Sequence, residues 1–406
     1  MTAGQQRDVL ITGIGLVTCL GEGLDAHRSA LNAAGGPKPV VDRETCAPYP
    51  LHPLVDVDFS NQIPKRGDQR QMEPWQRIGT YAAGLALDDA GIKDDIDILS
   101  RTDMIVSAGG GERDIEVDSS VLSELLTTND AGKLLNERLS NDLRPTLFLA
   151  QLPNLLAGNI SIVHKVTGSS RTFMGEEAAG VDAIRTAHAR VASGQSDICL
   201  VGGSYNAARL DMLLLFELGS YLWRDDWKPV WDRLQADGGM ITGSMGAFLV
   251  LESPEHAEKR GATSIAKIDA VLSDRSVREP GQASANAARQ FDTLRPALAG
   301  KSVAILSGAT GAQAAGAEER QFLTDLVGGD IDASVRAAGS MIGHGLEAQF
   351  PALVALAAMT VADRTLFAPL DSTGLEQDAS GPIDKAVVTM WGHWRGEGMA
   401  LVSPVG

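Results

Sequence analysis

Short apolar runs alternate with amphipathic stretches along the 406-residue chain. Apolar runs, most of them bounded by Gly or Ser, predict buried strands at Val9–Ile14, Asp103–Ser107, Asp197–Val201, Ala247–Leu251, Ser302–Ser307 and Lys385–Met390. Apolar residues at helical spacing predict helices at Ile78–Ala90, Phe148–Lys165, Ala178–Ser193, Ala317–Val327 and Glu347–Ala362. This alternation indicates an α/β protein with layered sheets and helices.

Two stretches lack such a pattern. Pro37–Asn61 is rich in proline and predicts a surface excursion, and Asp274–Ala287 is mostly small and polar and predicts a loop. Asp103–Gly110 and Ser302–Ala309 are both apolar strands that run into a glycine-containing turn. Their likeness hints at an internal duplication, although no strict repeat is present.

Composition narrows the class of partner. Hydrophobic residues make up 44% of the chain and charged residues 21%, which is enough for a sizeable core, and the net charge is −17. A surface this acidic repels phosphate backbones and anionic lipid. The polar N-terminus predicts no secretory signal, and the longest apolar stretch, Pro351–Ala362, is too short to span a bilayer. A cytoplasmic location is expected.

Motifs for common cofactors are missing. Gly13–Thr18 follows a predicted strand, but it lacks the third glycine of a dinucleotide fingerprint and predicts instead a tight turn from strand to helix. The three cysteines, Cys19, Cys46 and Cys199, have neither zinc-ligand nor redox spacing. No nucleophile elbow, zinc-protease helix or phosphate-binding loop occurs. We therefore expect neither a cofactor nor a metal.

The stretch Thr172–Gly194 is the most informative. Its apolar residues repeat at helical spacing, and Gly194 suits a helix stop. Glu176 and Glu177 stand at the start of the predicted helix, where free backbone N–H groups and the helix dipole favour an anion. Taken alone, this placement is explained by helix-end electrostatics.

Four segments in matching order resemble the β-ketoacyl-acyl-carrier-protein synthases, the condensing enzymes of the thiolase fold: Asp8–Gly21, Leu152–Gly158, Asp197–Gly203 and Gly339–His344. The resemblance covers essentially the whole chain. It implies a five-layer αβαβα architecture of two similar halves, Met1–Leu251 with the nucleophile position and Glu252–Gly406 with the histidines. It also implies a dimer and a place in fatty-acid or polyketide chain elongation.

The resemblance also implies which positions carry the chemistry. The cysteine that accepts the acyl chain matches Glu177, and the first of the two histidines matches Gly308. The second histidine is present as His344, whereas the lysine before it matches Gly339. The C-terminal motif whose Phe gates the pocket corresponds to Gly392–Gly398 without a unique alignment. Three of the four catalytic positions are therefore replaced.

Further residues are assigned by the same resemblance. Met212–Phe216 could wall an acyl tunnel, and His393 and Trp394 could line the pocket mouth or simply fill it. His344 could also persist for packing alone. Lys65, Arg66 and Arg70 fall where the family docks its acidic carrier protein, although they equally suit a solvated lead into a helix.

Three functions remain open at this point. The first is a non-condensing, chain-length-factor-like subunit that forms a heterodimer with an active synthase, or a homodimer. The second is altered chemistry, such as decarboxylation of malonyl-carrier protein with Glu177 and His344. The third is an active synthase in a different register, which would need a cysteine at the helix start, whereas Cys199 lies on the next predicted strand.

Overall fold

The computed structural model describes residues 6–145, 147, 151–277 and 279–406. Its strands are β1 Leu10–Thr18, β2 Gly21–Glu22, β3 Leu51–His52, β4 Asp103–Ala108, β5 Ser170–Met174, β6 Ile198–Tyr205, β7 Thr242–Gly243, β8 Met245–Glu252, β9 Ala266–Asp274, β10 Ser302–Ser307, β11 Asp332–Ala337, β12 Lys385–Trp391 and β13 Glu397–Ser403. Its helices are α1 Gly23–Leu31, α2 Arg66–Gln71, α3 Pro74–Asp89, α4 Ile96–Leu99, α5 Ile115–Leu125, α6 Ala131–Asn141, α7 Leu155–His164, α8 Glu177–Ala192, α9 Leu210–Leu218, α10 Val230–Gln235, α11 Pro254–Arg260, α12 Gln282–Leu298, α13 Gln313–Val327, α14 Gly339–Ile342 and α15 Gln349–Asp363. Single 3₁₀ turns lie at Phe59–Asn61 and Leu346–Ala348.

The main sheet repeats one strand order twice. Its order is β11-β10-β12-β13-β9-β1-β8-β6-β4-β5. On one side β4 runs parallel to β5 and β6, and on the other β10 runs parallel to β11 and β12. The two sets meet where β1 and β9 pair over two residues. The likeness of Asp103–Gly110 to Ser302–Ala309 therefore reflects equivalent strands of two similar halves, while the division at Leu251 stays a prediction.

Two buried helices lie between the halves. α8 packs against β4 and β6 of one half and against β9 of the other, and α15 packs against β8 and β12. α3 and α7 cover the outer face of the first half, and α12 and α13 that of the second. This gives the five-layer αβαβα arrangement that the sequence predicted. An apolar helix such as α15 needs to be covered on all sides, which the central layer provides.

The predicted turn at Gly13–Thr18 is wrong, because β1 continues through these residues to Thr18. The glycines let the strand lie directly against α3. A Cβ on Gly15 would stand 1.9 Å from the carbonyl oxygen of Ala82, and one on Gly13 would stand 2.4 Å from that of Ala86. Glycine at these positions serves close packing of a helix on a strand.

Other boundaries differ where side chains are small or polar. α12 begins at Gln282, inside the predicted loop Asp274–Ala287, because the face that it buries is made of small residues such as Ala283 and Ala287, which give a weak hydrophobic pattern. Strand β9 mixes buried and partly exposed positions, and β11 is buried only over its last four residues, two of which are polar or charged, so neither strand has a continuous apolar run. α7 begins at Leu155, and the predicted start at Phe148 lies outside the described residues.

One helical stretch, Leu346–Asp363, is long and apolar enough to cross a membrane by length and composition, and 89% of it is buried inside the protein. It consists of the 3₁₀ turn and α15. Burial of this extent is what a core helix shows.

Candidate functional site

The centre of the site is a buried contact between the two halves. Glu177 is the first residue of α8, and its side chain is fully buried. His344 follows α14, and its backbone is held on both sides: its N–H donates to Ile241, and its carbonyl oxygen accepts from Gly243. Nε2 of His344 lies 2.8 Å from Oε1 of Glu177. The structure thus brings together two residues that the sequence singled out 167 positions apart.

The environment keeps Glu177 charged. Burial by itself would raise the pKa of this carboxyl, but the hydrogen bond and the charge of His344 outweigh burial and hold the pKa below its ordinary value. Because a carboxylate only accepts hydrogen bonds, Nε2 of His344 is the donor. Oε2 of Glu177 and Nδ1 of His344 are both buried, and neither has a hydrogen-bond partner within the described part of the chain.

The position of the first histidine, Gly308, lies directly after β10. It is buried, and its N–H donates to the carbonyl oxygen of Thr389 at 2.9 Å. The carboxylate of Glu319 accepts from the hydroxyls of Ser307 at 2.7 Å and Thr389 at 2.8 Å. The polar surroundings of this position are thus fully hydrogen-bonded, although glycine brings no side chain to the site.

An aromatic cluster closes the site where β12 turns into β13. Phe216 stacks on Trp394 with ring centroids 5.4 Å apart, and Tyr221 meets His393 edge-on at 4.1 Å. A Cβ on Gly392, in the same turn, would stand 3.3 Å from Oε2 of Glu177, so this turn lies directly over the carboxylate. The turn that carries His393 and Trp394 thus lies beside the carboxylate.

Met212 lies beside this cluster. It is half-buried on α9 and packs on the core that contains Phe216. The four predicted pocket residues are therefore gathered around one point. Tyr221 was missed because no local pattern connects it to the β12–β13 turn.

A second buried carboxyl, that of Glu347, was also missed. A Cβ on Gly109 would stand 2.7 Å from its Oε1, so its side chain fills space above the glycine loop that follows β4. Burial raises the pKa of Glu347 to about 8, and the nearby negative charge of Glu177 adds to this effect. In the sequence Glu347 looks like an ordinary acidic residue at a helix start, so no signal pointed to this role.

The predicted docking residues Lys65, Arg66 and Arg70 are exposed at the start of α2 and along it. Arg144 lies beside them: one of its guanidinium nitrogens is 3.5 Å from the carbonyl oxygen of Arg70, and another pairs with Glu73. The structure therefore adds a fourth basic side chain to this patch.

A cavity of about 530 Å³ lies beside α5 and α6. Its apolar lining comes from Pro145 and four leucines, Leu139, Leu143, Leu147 and Leu152. Its polar lining is Arg113, Asp114, Asp118, Ser140, Arg144 and Gln151. This lining combines a largely apolar wall with a few charged groups, as is typical of sites for small molecules.

Comparison with known proteins shows which family the chain is similar to. The family model described as "Beta-ketoacyl synthase, N-terminal domain" matches residues 6–257. The 3-oxoacyl-[acyl-carrier-protein] synthase 2 of Rhizobium meliloti (strain 1021) is 28% identical over 279 residues, 64% of this chain and 63% of the relative. The match spans a little under two thirds of the length of this relative and of the corresponding synthase of Vibrio cholerae.

Two solved structures share the fold over nearly the whole chain. The ishigamide ketosynthase/chain length factor superposes with a TM-score of 0.80 at 20% identity and covers 99% of this chain and 100% of that one. A type II polyketide synthase acyl-carrier protein in complex with its ketosynthase matches with a TM-score of 0.72 at 17% identity, over 98% of this chain and 100% of that one. The thiolase-like fold expected from the sequence is confirmed.

Proposed function

Because this chain belongs to the β-ketoacyl synthase family, we propose that it is a non-condensing member, a chain-length-factor-like subunit that works with an active synthase. The observation that carries the proposal is the buried pair of Glu177 and His344 at the nucleophile position. The pair occupies the place where the family chemistry requires a reactive thiolate, and the aromatic cluster covers it.

Acyl transfer to this site is chemically unfavourable. The nucleophile of a condensing enzyme is a thiolate, whose pKa the start of a helix lowers. A carboxylate attacking a thioester would give a labile mixed anhydride, and Glu177 is already engaged with His344. All three cysteines are buried away from the start of α8, and burial raises the pKa of Cys19 to about 12.

Uncovered apolar surface supports a partner subunit. β5 is an edge strand of the main sheet, and its last residue, Met174, is 70% exposed. Exposed leucines stand along α9: Leu210, Leu214, Leu215 and Leu218. An unprotected strand edge offers unpaired backbone groups to another strand, and exposed apolar patches mark interfaces. We propose that the active synthase covers these surfaces, as a ketosynthase is coupled with a chain length factor in the ishigamide structure.

We place the limit on acyl chain length at the leucine-lined cavity beside α5 and α6. Its volume of about 530 Å³ and its apolar wall suit part of a linear acyl chain. A hydrogen bond connects the cavity wall to the glycine loop that follows β4. The N–H of Gly111, in the loop, donates to the carbonyl oxygen of Gln151, in the wall, at 3.2 Å. An acyl chain that grows on the partner's cysteine would stop growing when its end reaches the side chains that line this cavity.

The test is a reconstitution with mass-spectrometric detection of carrier-bound products. Acyl- and malonyl-carrier protein are incubated with this chain alone, with the intact synthase encoded nearest to it, and with both. We expect elongation only when the synthase is present, and a product of different length when this chain is added.

Two outcomes would overturn the proposal. Elongated product from this chain alone would mean that it condenses by itself. Carbon dioxide and acetyl-carrier protein from this chain alone, lost in Glu177→Ala and His344→Ala, would instead establish decarboxylation. The absence of the first histidine, whose position matches Gly308, counts against that reaction, because little remains to stabilise the enolate.

A further inference from the structure

The position after β10 is occupied by a neighbouring side chain. A Cβ built on Gly308 would stand 2.2 Å from Sδ of Met390, and 3.1 Å from both Cδ1 of Leu353 and the carbonyl oxygen of Thr389. Met390 is only 1% exposed and belongs to the main core cluster. Interiors are packed at the density of organic crystals, so even one added methyl group at this point requires the Met390 side chain to shift.

The backbone around Gly308 is fixed and cannot open this space. β10 and β12 run parallel, with Ser307 aligned to Thr389. Glu319 ties these two residues together through their hydroxyls, and the Gly308 N–H is bonded to Thr389. Room for a side chain at Gly308 therefore has to come from Met390 itself.

We infer that Met390 occupies the space that a histidine at position 308 would need. Core packing then maintains the non-condensing state, in addition to the missing nucleophile. The inference rests on the proposed function, because it treats the site as structural. A Met and a His side chain are of similar size, so the methionine thioether fills about the volume that an imidazole on Gly308 would need. Exchange of both residues together conserves volume, whereas exchange of one does not.

The experiment is a double-mutant cycle read by thermal unfolding of the full chain. Gly308→His alone should lower Tm by several degrees because the imidazole meets Met390, and Met390→Gly alone should lower it because it leaves a cavity. The double variant should melt clearly above Gly308→His. Equal melting of Gly308→His and the wild type, or a double variant whose two losses simply add, would overturn the inference.

A matched pair guards against general effects of the substitutions. A Cβ on Gly381 meets nothing within 4 Å, so Gly381→His should leave Tm nearly unchanged and should add to the loss from Met390→Gly without coupling. If Gly308→His does not fold, Gly308→Ala and Gly308→Ser supply the same cycle with smaller side chains. Rescue of neither by Met390→Gly would also contradict the inference.

A second readout follows the new imidazole. In the double variant it should titrate as a buried histidine in NMR spectra. A titration like that of a solvent-exposed histidine would contradict the inference. Failure of the thermal coupling leaves the reconstitution result untouched, and elongation by the unmodified chain alone leaves the thermal coupling untouched, so the two ideas fail separately.

Discussion

Two buried carboxyl groups beside α8, those of Glu177 and Glu347, differ in what surrounds them. Glu177 is matched by His344, and because a buried charge is tolerated only when it is paired, each residue makes the other necessary. Among the described residues no basic side chain pairs with Glu347, and burial raises the pKa of its carboxyl to about 8, so it is mostly protonated at neutral pH. The site thus holds one carboxylate that is hydrogen-bonded to an imidazole and one carboxyl whose pKa is raised.

Glu347 makes stability depend on pH. Its pKa rises from 4.5 to about 8 on folding, so the folded state keeps a proton that the unfolded state releases as pH rises above 4.5. Stability from this group is full below pH 4.5 and is lost between there and pH 8. We expect Glu347→Gln to be more stable than the wild type at pH 8 by on the order of 3–5 kcal/mol, at about 1.4 kcal/mol for each pKa unit.

Urea unfolding at pH 4.5 and at pH 8 checks this prediction. The difference in free energy of unfolding between Glu347→Gln and the wild type should grow with pH. Glu318, which is only partly buried and remote from α8, provides the control in Glu318→Gln, which should show little such growth. A constant difference across the range would mean that Glu347 is ionised in the folded protein.

At the scale of elements, close packing around β1 holds the first half together. α3 rests on β1 and β8 because Gly13, Gly15 and Gly246 leave room for its backbone. The local hydrophobic pattern predicted both α3 and β1, but it assigned the glycines of β1 to a turn. Glycine is needed at these positions because they contact a helix whose contacting residues lie more than 60 positions further along the chain.

Gly15→Ala should therefore destabilise the protein by about 1–3 kcal/mol or more, as overpacking does, because its Cβ would stand 1.9 Å from a backbone oxygen of α3. Gly67→Ala is the control: it lies in α2 with open space around it, so it should be neutral or slightly stabilising. Urea midpoints of the two variants decide the matter. Equal midpoints would show that α3 can move away from β1.

At the scale of the whole molecule, net charge affects which partners the protein can bind. The net charge of −17 repels an acidic carrier protein almost everywhere, so the patch of Lys65, Arg66, Arg70 and Arg144 is the exception that we propose as its docking site.

Reversing Lys65, Arg66 and Arg70 together to Glu should weaken carrier binding roughly tenfold or more, equivalent to about 1.4 kcal/mol. The wild-type affinity should fall as salt is raised, and that of the variant much less, because salt screens the charges that remain. Surface plasmon resonance at two salt concentrations measures both effects. Lys259→Glu with Lys301→Glu removes two exposed charges elsewhere and should change binding little. A loss of equal size in this control would mean that only net charge counts.

The sequence by itself determined the elements and the family. Strand Ser302–Ser307 was predicted to the residue, and the start of α8 at Glu177 to within one residue. Both predictions succeed because the spacing of apolar residues within a short segment distinguishes a strand from an amphipathic helix. The family resemblance, which also depends on residues placed in order along one chain, matches the nucleophile, first-histidine and lysine positions to Glu177, Gly308 and Gly339, and these assignments stay predictions.

Tertiary structure alone decided what fills the emptied site. Three contacts join residues that are far apart in sequence. His344 is hydrogen-bonded to Glu177, Met390 occupies the space beside Gly308, and Tyr221 packs edge-on against His393. No local periodicity encodes them, because the volume left by a missing side chain is taken by whichever neighbour the fold brings within reach. Packing of the five layers makes that choice.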